Sequence, residues 1–308
     1  MRPSRTAVNL NVEVGPVALR SPLIAAAGTV GSVVEFQQVV DFSLYGAAVG
    51  KSVAPVPWEG RIAPRIAPTD VGMLNGIGIQ NPGVDVWATQ VSPHIAAIPA
   101  PVWGSIVAHD VDGFAEVAEK MANTGVAAIE INLSCPNLDG RPFALDVDLT
   151  TRVVASVREA TDLPLGAKLS PDAMPITPIA DAAMSAGADW LVVANTVMGA
   201  AIDPDTRRPL LSGLIGGYSG AAVRPITMRC VLNIAADLPS APIVACGGVS
   251  DARHVVEYIL AGADAVAIGT AHFANPKVAQ RITKDLEKYM KKHSVSALSE
   301  IKGAFEPW

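Results

Sequence analysis

The sequence predicts one α/β domain, a single (β/α)8 TIM barrel that spans residues 1–308. Eight short apolar runs, each bounded by turn residues, alternate with stretches of helical periodicity. Strands that are apolar throughout are typical of parallel sheets buried on both faces, and a closed barrel accommodates eight of them. An open, doubly wound sheet is the alternative, but no G-x-G-x-x-G motif opens a helix after the first strand.

A β-hairpin is predicted ahead of the barrel, because apolar and polar residues alternate from Val8 to Leu19 around Gly15-Pro16. The predicted barrel strands are Leu23–Gly28, Ala47–Ser52, Val102–Val107, Ala128–Ser134, Leu165–Ser170, Trp190–Thr196, Ile243–Gly248 and Ala265–Thr270. The predicted helices include Asp112–Thr124, Leu149–Ala160, Thr177–Ala186, Ala222–Ala236 and Ala252–Ala261. Several of these helices are followed by glycine, which commonly ends a helix.

Two connections are too long to be simple turns, and we expect both to be functional loops. They are Val53–Asn81 and Leu138–Asp148, and each follows the carboxyl end of a predicted strand. Barrel enzymes carry their active sites at this end, the C-terminal face.

Composition excludes several classes of protein. The net charge of -6 argues against a basic surface for nucleic acid. The three cysteines, Cys135, Cys230 and Cys246, are far apart, so neither a disulfide framework nor a zinc or iron–sulfur site is expected within the chain. The mean hydropathy is +0.35, yet no run of eighteen apolar residues occurs and the N-terminus does not resemble a signal peptide. We therefore predict a cytoplasmic protein without membrane contact.

The string I-E-I-N-L-S-C-P-N, which begins at Ile129, is the most distinctive in the chain. Its alternating start predicts a short strand, and Pro136 ends that strand. Cys135 then lies in a polar loop between Asn132 and Asn137. Reactive cysteines occupy partly exposed polar positions, but buried structural cysteine is also common, so this pattern alone leaves both roles open.

Other predicted strand ends bring two lysines to the same face. Lys51 and Lys168 end strands that are otherwise apolar, and lysine is seldom buried without a partner. Several asparagines accompany them, and amide groups suit the alternating N–H and C=O groups of a pyrimidine or an amide. Lys51 is suited to balance a substrate carboxylate, and Lys168 to stabilise negative charge that develops on a cofactor.

The last two predicted strands are followed by glycine turns, Gly247-Gly248 and Gly269-Thr270. Barrels commonly bind phosphate there through backbone N–H groups and the start of a short helix. No metal site is predicted, since the sequence shows no H-E-x-x-H motif and no carboxylate cluster. His109, His254 and His272 are scattered, and we interpret them as structural.

Taken together, the motifs resemble one family over nearly the whole chain. They are A-A-G-T at Ala26–Thr29, G-K-S at Gly50–Ser52, G-M-L-N-G-I-G-I-Q-N-P-G at Gly72–Gly83, I-N-L-S-C-P-N, A-K-L-S-P at Ala167–Pro171, A-N-T at Ala194–Thr196 and G-Y-S-G at Gly217–Gly220. This set, with the two glycine turns, resembles dihydroorotate dehydrogenase. The loop cysteine and the absence of an N-terminal membrane helix are similar to class 1 enzymes. The Q-N-P-G string and the C-terminal H-S-V-S-A-L-S-E resemble the type 1B catalytic subunit.

The resemblance implies an oxidoreductase that uses FMN to oxidise (S)-dihydroorotate to orotate in de novo pyrimidine (UMP) biosynthesis. It implies that Cys135 is the catalytic base, which removes the C5 proton while hydride passes from C6 to flavin N5. The implied flavin contacts are Ala27, Lys51, Ser52, Ser105, Asn132, Lys168, Ala194, Gly220, Gly247, Gly248, Gly269 and Thr270. The implied substrate contacts are Lys51, Asn75, Gly76, Ile77, Gly78, Ile79, Asn132, Asn195 and Thr196, with Asn137 beside them.

Three positions depart from the family pattern. Ser105 stands where asparagine is usual on the third strand, which puts a flavin contact there in question. Tyr218 replaces a smaller aliphatic residue, and Gly76 replaces a small side chain near the substrate.

The chain has no dinucleotide fingerprint and too few spaced cysteines for an iron–sulfur cluster. The type 1B resemblance therefore implies a homodimer of catalytic chains with a partner subunit that carries FAD and an iron–sulfur cluster, in a heterotetramer that passes electrons to NAD. Three alternatives stay open. They are a stand-alone enzyme that uses fumarate, a dihydropyrimidine dehydrogenase-like reductase, which also shows N-L-S-C-P, and a non-catalytic barrel that binds a phosphate ligand or acts as a scaffold for a protein.

Overall fold

The predicted hairpin is present at the start of the fold. A computed structural model describes residues 8–134 and 142–306. Strands β1 (Val12–Val14) and β2 (Val17–Leu19) pair in antiparallel fashion across the Gly15-Pro16 turn. Val14 and Leu19 are fully or almost fully buried and pack on the barrel interior, so the hairpin covers the N-terminal end of the barrel.

The remaining strands include all eight that the sequence predicts for a barrel. In chain order they are β3 (Leu23–Ala25), β4 (Ala47–Val49), β5 (Ile66–Thr69), β6 (Gly72–Asn75), β7 (Val102–Ile106), β8 (Ala128–Asn132), β9 (Leu165–Lys168), β10 (Trp190–Val193), β11 (Val197–Gly199), β12 (Ile202–Asp203), β13 (Arg208–Pro209), β14 (Gly216–Ser219), β15 (Ile243–Cys246) and β16 (Ala265–Ile268). Parallel pairing closes β3, β4, β7, β8, β9, β10, β15 and β16 into a barrel. The predicted (β/α)8 fold is confirmed.

The barrel strands end earlier than predicted. The predicted first strand runs to Gly28, whereas β3 ends at Ala25, and the predicted sixth runs to Thr196, whereas β10 ends at Val193. The residues in between are the polar and small ones that follow each strand, and they leave the ladder at the carboxyl end of the barrel.

The helices surround the barrel. They are α1 (Val84–Gln90), α2 (Ser92–Ile95), α3 (Val111–Ala122), α4 (Val147–Ala160), α5 (Thr177–Ser185), α6 (Arg224–Asp237), α7 (Ala252–Leu260), α8 (Ala271–Ala274) and α9 (Val278–His293). The five predicted helices are confirmed, with each end within two residues of its prediction. Aspartates cap the starts of α3 and α4, where Asp110 accepts a hydrogen bond from Gly113 N at 2.7 Å and Asp146 accepts one from Leu149 N at 2.9 Å. No helix in the described ranges is both long and apolar enough to span a membrane.

The core has two parts, because alternate residues of each barrel strand point inward and outward. Outward-facing residues such as Ile129 and Ile131 pack against the helices. The inward-facing residues near the N-terminal end include Trp103 and Trp190, whose ring centroids are 4.9 Å apart. These two rings fill the N-terminal part of the barrel interior. The buried Lys168 and Asn132 lie nearer its carboxyl end.

The prediction that Val53–Asn81 is a long loop is wrong in part. The segment contains β5 and β6, which join β11 and β14 in a four-stranded antiparallel sheet of order β11-β14-β6-β5. The strands are short and carry glycine and proline, with Pro68 on the edge strand β5, so their pattern resembles a loop. The sheet thus joins the connections that follow β4 and β10.

The second predicted loop, Leu138–Asp148, lies partly outside the described residues. Its described part forms a single turn of 3-10 helix, Phe143–Leu145, followed by the first residues of α4. Phe143 is almost fully buried, and its ring meets that of Phe114 edge-on at 5.4 Å.

Candidate functional site

The predicted flavin-contact residues all lie on or directly after strands. Ala27 follows β3, Lys51 and Ser52 follow β4, Ser105 lies in β7, Asn132 and Lys168 end β8 and β9, Ala194 follows β10, Gly220 follows β14, Gly247 and Gly248 follow β15, and Gly269 and Thr270 follow β16. Seven of the eight barrel strands contribute residues at or just after their ends, and β7 contributes Ser105 from within the strand. The second sheet contributes Gly220, which follows β14. The structure thus places these residues around the C-terminal face.

Asn132 is the centre of a hydrogen-bond network on this face. Its Nδ2 group donates to Ser52 Oγ at 3.2 Å. Its Oδ1 atom accepts hydrogen bonds from Ser134 Oγ at 2.8 Å and from Asn195 Nδ2 at 3.2 Å. Both ends of the buried amide are therefore held, which fixes its orientation.

Ser105 belongs to the same network. Its hydroxyl oxygen lies 2.9 Å from that of Ser52, and both side chains are buried. The Ser105 side chain is therefore hydrogen-bonded to Ser52, which in turn accepts a hydrogen bond from Asn132. A direct flavin contact at Ser105 stays a prediction.

The predicted substrate residues Asn195 and Thr196 connect this network to the second sheet. Asn195 donates through Nδ2 to Ser134 Oγ and accepts through Oδ1 from the Thr196 N–H at 2.8 Å. The register pairs Val197 in β11 with Tyr218 in β14, and β14 in turn pairs with β6.

The second sheet carries the other predicted substrate residues. Asn75 ends β6, and its Nδ2 group donates to Gly217 O in β14 at 3.1 Å. Residues 76–79 (Gly76, Ile77, Gly78 and Ile79) follow directly. The Gly76 N–H donates to Arg65 O at 2.7 Å, and Ile77 O accepts from the Arg61 N–H at 3.0 Å. Backbone hydrogen bonds to residues 61–65 thus fix the position of this segment.

Asn81, at the end of the same connection, has a structural role. Its Oδ1 atom accepts from the N–H groups of Ala54 and Gly83 at 3.0 Å each, and its Nδ2 group donates to Ile79 O at 2.8 Å. The buried amide therefore closes the base of the connection after β4.

Lys168 and Glu130 form a buried ion pair inside the barrel. Lys168 Nζ lies 3.3 Å from Glu130 Oε1, and the two side chains are only 7% and 4% exposed. Burial lowers the pKa of Lys168, but attraction to Glu130 and the hydrogen bond to Glu130 outweigh the effect of burial and leave the pKa above its ordinary value. Glu130 was not among the predicted site residues, although a glutamate in an otherwise apolar strand was a signal of an inward-facing charge.

Lys51 lies just beyond β4 and is partly buried. Its backbone N–H donates to Gly31 O at 2.9 Å, which anchors this strand end to the connection after β3. The predicted base Cys135 and the neighbouring Asn137 lie outside the described residues, so their predicted roles stay predictions.

The other two cysteines lie in different surroundings. Cys246 ends β15 and packs on the barrel interior, where burial raises the pKa of its thiol. Cys230 is buried in α6, and burial raises its pKa as well. Thiols of this kind are protonated and unreactive near neutral pH.

The glycine turns after β15 and β16 present backbone donors. Gly248 has φ of +66°, a conformation that favours glycine, and a Cβ there would lie 2.9 Å from Gly220 O. The N–H groups of Gly248, Gly269 and Thr270 have no hydrogen-bond acceptor among the described residues. Such unpaired amides suit an anion.

Three histidines have contacts that are structural. His272 is buried in α8, where its Nδ1 atom is 3.0 Å from Thr29 Oγ1 and its Nε2 atom 2.8 Å from Tyr45 Oη. His109 stacks on Trp58 with ring centroids 4.1 Å apart, and His254 Nδ1 accepts from Ser250 N at 3.3 Å.

A polar network of amides, a buried ammonium group and unpaired backbone N–H groups at the C-terminal face define the class of this protein as a (β/α)8-barrel enzyme. A sequence profile described as dihydroorotate dehydrogenase matches residues 9–290. The chain therefore belongs to the dihydroorotate dehydrogenase family.

Individual relatives agree with the profile. The chain is 38% identical over 301 residues to the protein of Alkaliphilus metalliredigens named dihydroorotate dehydrogenase B (NAD(+)), catalytic subunit, with 97% of this chain and 99% of the relative covered. It is 41% identical over 302 residues to the protein of the same name from Desulforudis audaxviator, with 96% and 97% covered. It is 40% identical over 300 residues to the protein of that name from Trichlorobacter lovleyi, with 96% of this chain and 98% of the relative covered.

The buried His272 generates a prediction for stability in acid. Burial lowers the pKa of His272 to about 4, so between pH 6.5 and 4 the unfolded chain binds a proton that the folded chain does not. Stability is therefore complete above pH 6.5 and falls as the pH drops towards 4, by roughly 3 kcal/mol from this group. Urea unfolding at pH 7, 5.5 and 4 should show that His272→Asn, although less stable at pH 7, loses less stability on acidification.

The exposed His94 provides a matched control. His94→Gln should lose stability on acidification as steeply as the unaltered chain does. Parallel curves for His272→Asn and the unaltered chain would contradict the prediction.

Proposed function

We propose that the chain oxidises (S)-dihydroorotate to orotate with FMN as its resident cofactor and acts as the catalytic subunit of an NAD-linked enzyme. The observation that carries this proposal is the hydrogen-bonded pair of Asn132 and Asn195 beside the buried Lys168–Glu130 pair, with Asn75 and Thr196 both next to Gly217. The names of the relatives support the substrate and the electron acceptor.

The residues present fit FMN. Unpaired N–H groups of Gly248, Gly269 and Thr270 suit the phosphate, and the Lys168 ammonium suits the isoalloxazine end, where negative charge develops on reduction. When bound, FMN supplies a two-electron acceptor for hydride. The remaining predicted contacts, from Ala27 to Gly220, lie on the same face.

The amides are suited to recognise the pyrimidine ring. Asn75, Asn132 and Asn195 together offer donors and acceptors that match ring N–H and C=O groups. The substrate carboxylate needs a cation, and we assign this role to Lys51, which lies beyond β4 on the same face. Uracil lacks that carboxylate, so the same site should discriminate against dihydropyrimidine dehydrogenase substrates.

Cys135 is the proposed general base, and it lies one residue beyond Ser134, a member of the Asn132 network. A thiol of ordinary pKa near 8.5 becomes an effective base when a polar site stabilises the thiolate. Its role is to remove the C5 proton of dihydroorotate, while Asn132 and Asn195 hold the ring. We assign Asn137, two residues further along the chain, to the same set of substrate contacts.

Replacement of Cys135 should separate binding from chemistry. In Cys135→Ala the base is lost but the Asn132 network is kept, so FMN and orotate should still bind. Anaerobic stopped-flow absorbance should show flavin reduction by dihydroorotate slowed by about 10² to 10⁴. Cys135→Ser should keep a small rate that rises with pH, because a hydroxyl is a weaker acid than a thiol.

The matched control is Cys230→Ala, which removes a buried thiol in α6. Its rate of flavin reduction should equal that of the unaltered chain. An unchanged rate in Cys135→Ala would assign the base to another residue and contradict this part of the proposal.

Gly269 offers a clean test of the phosphate site. A Cβ at this position would be 3.7 Å from Thr29 and 3.8 Å from Ala26, so the protein itself has room for Gly269→Ala. If FMN phosphate lies against the Gly269 N–H, the added methyl group should weaken FMN binding about tenfold or more, which is about 1.4 kcal/mol. Fluorescence titration of apoprotein measures this, with the melting temperature of the apoprotein as the control. An unchanged affinity would locate the phosphate elsewhere.

Electron transfer to NAD requires a partner in this proposal, because the chain carries no dinucleotide-binding fingerprint. We propose a homodimer of this chain with a second subunit that carries FAD and an iron–sulfur cluster. The words "catalytic subunit" in the names of the relatives support a partner. The cytoplasmic location stays a prediction.

Turnover of the isolated chain tests the need for a partner. With dihydroorotate, the isolated chain should reduce an artificial dye but neither NAD nor fumarate. Rapid reduction of NAD by the isolated chain would refute the two-subunit arrangement, and efficient use of fumarate would favour a stand-alone enzyme.

A further inference from the structure

Glu130 is a buried carboxylate inside the barrel, in register with Ser105 of β7 and Gly166 of β9. It lies in the middle of β8, between Ile129 and Ile131, and is 3% exposed. The inward-facing layer towards the N-terminal end consists of apolar residues such as Trp103 and Trp190. A buried charge in this position is costly unless it has a partner.

Lys168 is that partner, and the dependence is mutual. The pairing of β8 with β9 sets Asn132 beside Lys168, and Lys168 Nζ reaches back to Glu130 Oε1 at 3.3 Å. Lys168 is only 6% exposed, and its desolvation favours the neutral amine. Without Glu130, no negative charge in the described part of the chain would compensate for this desolvation.

The other groups that face Lys168 do not replace Glu130. On β10 the residue in register is the apolar Val192, and on β15 the facing group is the Cys246 thiol. Burial raises the pKa of Cys246, so this thiol carries no charge near neutral pH. Among the described residues, Glu130 is therefore the negative charge that Lys168 meets.

An ion pair of this kind is expected to add little to the free energy of unfolding. A buried pair repays its desolvation cost only with excellent geometry, and well-packed apolar residues often stabilise a protein as much or more. A single contact at 3.3 Å is longer than the 2.7–2.9 Å typical of charge-assisted N–H···O bonds. The pair is better explained by a need for a charged lysine at the carboxyl end of the barrel.

We propose that Glu130 is a positioning residue that keeps Lys168 an ammonium ion at the FMN site, and thereby maintains the stabilisation of the reduced, anionic cofactor across the neutral and alkaline pH range. This inference rests on the proposed function for the cofactor, but the charge state of Lys168 is a property of the protein alone.

The first experiment therefore uses apoprotein. Lysine labelled with ¹³C at Cε reports its own protonation by NMR, and the signal lost in Lys168→Met identifies Lys168. In the unaltered chain this signal should not titrate up to about pH 10, whereas in Glu130→Gln it should titrate lower by roughly 1 pH unit or more. Glu130→Asp keeps the charge and should restore the behaviour of the unaltered chain in part or in full.

The second experiment measures the flavin midpoint potential between pH 6.5 and 9.5 in FMN-loaded protein. The potential of Glu130→Gln should fall below that of the unaltered chain as the pH rises through the new pKa of Lys168, and Lys168→Met should show the lowered potential throughout. Cys246→Ser, a change within the same cluster that removes no charge near neutral pH, should follow the unaltered chain.

Two outcomes would overturn the inference. One is a Lys168 signal that titrates identically in Glu130→Gln and the unaltered chain. The other is a constant offset between their potentials at every pH, which would mean that Lys168 stays charged without Glu130. A failure to bind FMN would refute the proposed cofactor, while the NMR titration would still decide the role of Glu130.

Discussion

Closure of eight parallel strands buries both faces of every strand, and this constraint decides where polar chemistry can lie. Apolar side chains fill the space towards the helices, and Trp103 and Trp190 fill the N-terminal part of the barrel. Among the described residues, the buried hydroxyl, amide and ammonium groups of the site lie towards the carboxyl end, where each needs a partner because an unpaired buried polar group is costly. Ser52, Asn132 and Lys168 each have one.

The second sheet extends this arrangement beyond the barrel. It joins the connections after β4 and β10. Asn75 and Thr196 are far apart in the chain, yet both belong to this sheet or to the turns beside it. The hydrogen bond from Asn75 to Gly217 joins the two connections within this sheet, and the one from Asn195 to Ser134 joins the segments that follow β10 and β8. A rigid support of this kind reduces the entropy that would be lost when a small substrate is positioned.

The same constraint gives the buried ion pair its significance. A carboxylate and an ammonium group inside a closed barrel attract each other, and Glu130 keeps the pKa of Lys168 above its ordinary value, at a cost in desolvation. The pair lies directly beside Asn132, so its field acts on whatever the amide network binds. In the proposed function, one contact between β8 and β9 therefore sets the charge that the cofactor meets.

The sequence by itself determined the barrel, its eight strands and which of the described residues follow those strands, because apolar periodicity and strand-end position follow from local patterns. It did not reveal the second sheet, whose short strands with Pro68 and several glycines look like loop, or the contact of Ser105 with Ser52. Pairing between distant strands and the direction of a buried side chain depend on neighbours that are far away in the chain. The pairing of Glu130 with Lys168 is of this kind, since it depends on the register of β8 against β9 and on both side chains facing the barrel interior, where they lie 3.3 Å apart.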